Sequence, residues 1–131
     1  MKELKMRKQE QYMLSFTFYI LNQLVMVCLY PFKQQVFTFA AVDFNNQDAL
    51  DTLKKTVVQY MLDKETKMLF ENGYYSMTHT TLPSNNEFSV LMYLCHASYC
   101  LAMGFDTDID NVEIDTISQR ILYQISVIVT S

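Results

Sequence analysis

The chain has 131 residues, of which 50% are hydrophobic and 18% are charged, and its formal net charge is −4. This length favours a single domain, 1–131, with one core. The shortage of charged residues predicts that part of the surface is covered by another protein or by a second copy.

Nucleic-acid binding is disfavoured because Arg120 is the only lysine or arginine after residue 71, which leaves no basic stripe for phosphates.

A basic N-terminal segment, residues 1–10, precedes a stretch without any charged side chain, residues 11–32. The length of this stretch suits a membrane anchor, but Asn22 and Gln23 fall at its centre, where amide groups are costly. Alternating apolar and polar residues favour two or three antiparallel strands between residues 12 and 43 instead, with a buried helix as a further alternative. The cations of the basic segment, which predict attraction to an acidic partner, are Lys2, Lys5, Arg7 and Lys8.

Two elements are predicted in the next part of the chain. Residues 47–63 repeat apolar residues at helical spacing behind a capping asparagine, which predicts an amphipathic surface helix. Residues 64–80 have two interpretations. Gly73 can end a continued helix, or Asn72 and Gly73 can form the two-residue turn of a β-hairpin, which we favour.

Residues 85–103 carry the clearest helix signature. Ser84 and Glu87 stand three apart as a capping box, and Gly104 stands where the helix would end. No charged residue lies between Glu87 and Asp106. A helix that is apolar nearly all round is buried in the interior or against another chain, so we expect a central or interfacial helix.

The C-terminal part of the sequence predicts strands. Apolar residues alternate with polar ones over residues 112–116, and the odd positions of residues 121–129 are all apolar or aromatic. The fold class is therefore predicted as α+β, with a mainly antiparallel sheet and two principal helices packed on one face. The other face then needs cover, for which a partner sheet or a second subunit is the simplest source.

The cysteines and histidines are candidates for chemistry. The three cysteines lack paired spacing, so we expect no disulfide framework, no metal site and a reducing, cytoplasmic compartment. A small enzyme using His79 or His96 with a cysteine is an alternative function. Cys95 and His96 are neighbours that cannot readily meet from one helix, so His79 would have to reach a cysteine across the fold. We interpret His79 as a polar, exposed strand residue and His96 as a satisfied helix residue.

An acidic run resembles the start of a calcium loop, with Asp106, Asp108 and Asp110 at alternate positions. An EF-hand requires Gly at the sixth position and Glu at the twelfth. Asn111 and Ile117 occupy those positions. We therefore expect an acidic turn that feeds an edge strand, and no cofactor.

Tyrosine and methionine are abundant, with nine of each, and both residue types suit adaptable contacts with other chains. We predict a non-catalytic, self-associating protein-interaction module, a homo-oligomer that serves as a small structural subunit or as an inhibitor of a larger machine. The small enzyme and a membrane-attached protein anchored by residues 11–32 are the alternatives. The residues predicted to contact another chain are Tyr74, Tyr75, Tyr93 and Tyr99.

Overall fold

The structure, a computed structural model, describes residues 12–20, 22–44, 46–61 and 63–130. These residues form four strands and four helices, so the chain is an α+β protein, as the sequence predicted. The chain divides into two compact units, Met1–Thr81 and Leu82–Ser131, and the single domain stays a prediction. The strands are β1 (Leu14–Ile20), β2 (Gln23–Tyr30), β3 (Gln35–Ala40) and β4 (Ser76–Thr81). The helices are α1 (Gln47–Gln59), α2 (Lys64–Glu71), α3 (Glu87–Met103) and α4 (Ile114–Thr130).

The first unit is built on one sheet with the strand order β1-β2-β3-β4. β2 pairs antiparallel with β1 and with β3, and β4 pairs parallel with β3. The turn before β2 places Asn22 at φ 64°, and the turn before β3 places Gln34 at φ 53°, both in the left-handed region that asparagine enters more readily than most residues. The charge-free stretch therefore forms a β-hairpin over its described residues, which confirms the strand interpretation.

One face of this sheet packs against α1 and α2. Leu53 and Val57 lie on one side of α1 at helical spacing, and both are fully buried. They join a core with the side chains that β1, β2 and β3 direct to this face. The opposite face of β2 is buried as well, at Met26 and Cys28. A strand that is buried on both faces has a continuous apolar sequence, which explains the unbroken run in β2.

The predicted hairpin over residues 64–80 is wrong. The Asp63 carboxylate accepts a hydrogen bond from the Thr66 backbone N–H at 2.9 Å and begins the new helix α2. The chain leaves this helix through Gly73 at φ 81°, a conformation that glycine adopts without steric cost. The strand that follows pairs with β3 and not with the preceding segment, since Ser76 N–H donates to the Gln34 carbonyl at 2.9 Å.

The second unit contains α3 and α4. The predicted helix over residues 85–103 is confirmed as α3, which ends at Gly104 in the left-handed conformation. The predicted capping box of Ser84 and Glu87 is wrong, because the Asn86 side chain caps the helix and accepts from the Ser89 N–H at 3.2 Å. The predicted C-terminal strands are wrong, because this part of the chain forms α4. Ile114, Ile117 and Ile121 recur at helical spacing, and Ile117 is fully buried. The helical period therefore prevails over the strand preference of β-branched residues.

Candidate functional site

The four tyrosines predicted to contact another chain lie in different settings. In the first unit, Tyr74 is 65% exposed, while Tyr75 is half-buried and its hydroxyl donates to the Pro31 carbonyl at 3.3 Å. In the second unit, Tyr93 is 7% exposed, so little of its ring is accessible to a partner. Tyr99 lies under the guanidinium of Arg120, 4.5 Å from the ring centroid. Their role as contact residues stays a prediction.

His79 lies on β4 as predicted, but its predicted exposure is wrong, because the side chain is half-buried and both ring nitrogens are occupied within the first unit. Its Nε2 lies 2.8 Å from the Val42 carbonyl and its Nδ1 lies 2.7 Å from the Thr38 hydroxyl. The tautomer that satisfies both contacts donates from Nε2 and accepts at Nδ1. Phe44 meets the ring edge to face at 4.8 Å between centroids. Burial lowers the pKa of His79, although the Val42 contact and the Asp43 charge act in the opposite direction.

His96 and Cys100 form a close pair in the second unit, whereas the sequence drew attention to the neighbouring Cys95 as the partner of His96. They stand four residues apart on α3, and the Cys100 thiol lies 3.5 Å from His96 Nε2. The same Nε2 lies 2.6 Å from the Thr107 carbonyl, and Arg120 donates from Nη1 to His96 Nδ1 at 3.1 Å. Both ring nitrogens are thus engaged. Neither is left to accept the thiol proton, which a cysteine nucleophile requires.

The environment of Cys100 also opposes reactivity. Burial raises the pKa of the Cys100 thiol, the Arg120 charge lowers it and the Asp106 charge raises it. A raised pKa disfavours the thiolate, which is the nucleophilic form. The contacts of His96 instead connect α3 to the following loop and to α4 through the Thr107 carbonyl and Arg120. This geometry fits the interpretation of His96 as a satisfied helix residue.

The acidic run forms a loop before α4, so the predicted edge strand is wrong at this place too. Its polar groups bond to one another. Asp108 N–H donates to the Asp106 carboxylate at 3.2 Å, and the Asn111 side chain donates to the Asp108 carboxylate at 2.8 Å. In the described part of the chain, no three histidine, cysteine or acidic side chains are grouped so that they could hold a metal ion.

We define the outer face of α3 as a surface without charge that consists of four exposed residues and the half-buried Ser98; the exposed residues are Phe88, Leu91, Cys95 and Ala102. These residues recur at intervals of three and four, which places them along one side of the helix. Phe88 is 58% exposed and Leu91 is 49% exposed. The opposite side of α3 is buried through Val90, Tyr93, Leu94, Ala97 and Cys100. The helix is therefore apolar on two sides, of which only one is covered among the residues that the structure describes.

A second surface is a concave groove in the first unit, located where β1 begins and β2 ends. Its volume is about 750 Å³. Its lining is rich in aromatic rings and contains two carboxylates, from Asp63 and Glu65. We call this surface the aromatic groove; its aromatic residues are Tyr12, Phe16, Phe32, Tyr60 and Tyr75.

Comparison of the chain with protein-family models, with curated proteins and with solved structures found no match. No helix within the described residues combines the length and the apolar character that crossing a membrane requires. Our functional inferences therefore rest on the outer face of α3 and on the aromatic groove.

Proposed function

We propose that the protein is a non-catalytic interaction module that associates with a second copy of itself through the outer face of α3. The observation that carries this proposal is the exposure of Phe88 and Leu91 on a helix without a charged residue between Glu87 and Asp106. Solvent-exposed helix faces of soluble proteins are normally charged or polar. An apolar face with no charge offers no like-charge repulsion to an identical face.

The order of side-chain sizes supports an antiparallel arrangement of the two helices. The large residues Phe88 and Leu91 stand in the N-terminal half of the outer face, and the small residues Ser98 and Ala102 stand in the C-terminal half. When two copies pair antiparallel about Cys95, each large residue faces a small one. A two-fold interface requires this kind of self-complementarity, and alternating large and small side chains allow close packing.

The size of this face predicts a weak dimer. A helix of 17 residues is about 26 Å long, and one helix pair covers less surface than the roughly 800 Å² per partner that is typical of stable complexes. We therefore expect association that depends on protein concentration. Such a module can act as a structural subunit in an assembly or as an inhibitor whose partner competes for the same face.

Cysteine crosslinking tests the proposal. Cys95 is exposed while Cys28 and Cys100 are buried, so a short bis-maleimide applied to the native protein will react at Cys95. We expect a covalent dimer on a denaturing gel, which disappears in Cys95→Ser and is strongly reduced in Leu91→Glu. Met68→Glu is the matched control, since Met68 is 55% exposed, which is close to the 49% of Leu91, but lies on α2. The proposal is wrong if Leu91→Glu crosslinks as well as the unmodified chain.

A further inference from the structure

The aromatic groove has the dimensions of a small-molecule site. Its volume of about 750 Å³ falls inside the range of roughly 300 to 1,000 Å³ that is usual for ligand pockets. Its base is apolar, with Leu29 and Met61 among the lining residues. Leu29 is 1% exposed and Met61 is 2% exposed. The base of the groove is thus formed by buried core side chains, as expected for a pocket that exists before a ligand binds.

Aromatic rings form the sides of the groove. Tyr60 stacks on Phe16 with 4.6 Å between ring centroids and an interplanar angle of 21°. Tyr12 meets Phe32 edge to face at 6.1 Å. Tyr60 is 44% exposed, Tyr12 is 50% exposed and Phe32 is 58% exposed. Accessible ring surfaces of this kind attract organic cations through the negative potential of the ring face.

The charge of the groove has a single sign. Asp63 and Glu65 contribute carboxylates to the lining, which contains no lysine, arginine or histidine among the described residues. Asp63 is fixed in place, because its carboxylate accepts hydrogen bonds from the Thr66 N–H at 2.9 Å and from the Thr66 hydroxyl at 3.0 Å. These hydrogen bonds lower the pKa of Asp63. The carboxylate therefore remains ionised at pH values at which an ordinary aspartate would already be protonated.

We propose that the aromatic groove binds a small organic cation, an ammonium group carried on an apolar body. The apolar body fills the base of the groove beside Leu29 and Met61. The ammonium group lies against the exposed aromatic rings and close to the carboxylates of Asp63 and Glu65. Aromatic faces together with carboxylates recognise ammonium groups better than either does alone, because an anion and a ring quadrupole both stabilise the cation. This site is independent of the outer face of α3, so each proposal can fail without the other.

Three related probes test the proposal on the full chain. Phenyltrimethylammonium carries the cation, tert-butylbenzene is its uncharged isostere, and benzenesulfonate carries the opposite charge. Each is titrated while the resonances of the groove residues are followed by NMR. We expect saturable binding of the cation, binding of the uncharged isostere that is weaker by about tenfold, and no binding of the anion.

Variants assign the binding to the groove. Asp63→Asn combined with Glu65→Gln removes both carboxylates while asparagine still caps α2. It should weaken binding of the cation by about tenfold and leave binding of tert-butylbenzene unchanged. Glu71→Gln is the matched control, because it removes one carboxylate from the same helix outside the groove lining and should bind the cation as the unmodified chain does. Circular dichroism verifies that each variant is folded.

Several outcomes overturn the proposal. Equal binding of the cation and of tert-butylbenzene would show an apolar site without preference for charge, and absence of saturable binding would show no ligand site. Groove resonances that shift with protein concentration alone would identify a second copy as the occupant. Resonances that shift when Lys2, Lys5, Arg7 and Lys8 are replaced by glutamine, without any probe, would identify the basic N-terminal segment as the occupant.

Discussion

His79 is the residue whose protonation should affect the stability of the first unit. Its neutral ring accepts from Thr38 and donates to the Val42 carbonyl. Protonation would place a hydrogen on Nδ1, which now accepts from the Thr38 hydroxyl. The hydroxyl would have to rotate to accept from Nδ1, and its own hydrogen would lose its acceptor. Thr38 is fully buried, so no water is available to compensate.

This arrangement predicts that acid destabilises the protein. The pKa of His79 is lowered on folding, and the unfolded value is about 6.5. The unfolded state therefore binds the proton more readily, so this contribution to stability is complete above about pH 6.5 and is lost as the pH falls through that value towards the lower pKa of the folded state. Chemical denaturation between pH 8 and pH 5 should show a declining free energy of unfolding.

A variant isolates the contribution of His79 from that of other groups. His79→Gln keeps one donor and one acceptor on a side chain that does not titrate. This variant should have a lower free energy of unfolding at pH 8 than the unmodified chain. Between pH 7 and pH 5, its free energy of unfolding should decrease less than that of the unmodified chain. An unchanged decline in His79→Gln would show that other groups cause it.

At the residue scale, the sequence singled out His79 and His96 but did not indicate which groups they contact. His96 and Cys100 stand four residues apart, a spacing that places two side chains on one face of a helix and that can be found in the sequence. Arg120 arrives from α4 and the Thr107 carbonyl from a loop. No local sequence pattern encodes such long-range contacts. The hydrogen bonds that occupy both ring nitrogens of His96 could therefore not be predicted.

At the scale of elements, the local sequence predicted α1 and α3 but not α2, although the Asp63 side chain caps that helix as well. Asparagine caps precede α1 and α3, and Gly104 ends α3. α4 was predicted as strand because its isoleucines and valines also alternate, and β-branched residues favour strands. β4 pairs parallel with a strand that lies more than 30 residues earlier in the chain. A parallel partner needs a crossover connection, and nothing in the local sequence of residues 76–81 identifies that partner.

The pairing direction of α3 is a prediction at this same scale. In an antiparallel pair about Cys95, position 88 of one copy faces position 102 of the other, and the two copies of position 88 are about 21 Å apart. In the Cys95→Ser background, a mixture of Phe88→Cys and Ala102→Cys chains should therefore crosslink through a short bis-maleimide. Phe88→Cys alone should not form a crosslinked dimer. Efficient crosslinking of Phe88→Cys with itself would show that the helices run parallel.

At the scale of the whole molecule, our proposals rest on the low charge of the chain and on two accessible surfaces that are rich in apolar side chains. The chain is only 18% charged, and the composition alone predicted surface that another molecule covers. The structure has an outer helix face on one unit and an aromatic groove on the other. We expect the helix face to contact a second copy and the groove to bind a small cation. The composition could not predict where these surfaces lie, because their positions depend on tertiary structure.

The absolute mass of the detergent-free protein, measured by light scattering over a range of concentrations, tests self-association most directly. We predict a mass that rises from the 15.4 kDa of one chain towards twice that value, with Leu91→Glu remaining at one chain mass and Met68→Glu behaving as the unmodified protein. A mass of one chain at every concentration would contradict self-association. A dimer that persists in Leu91→Glu would contradict the assignment of the interface to the outer face of α3.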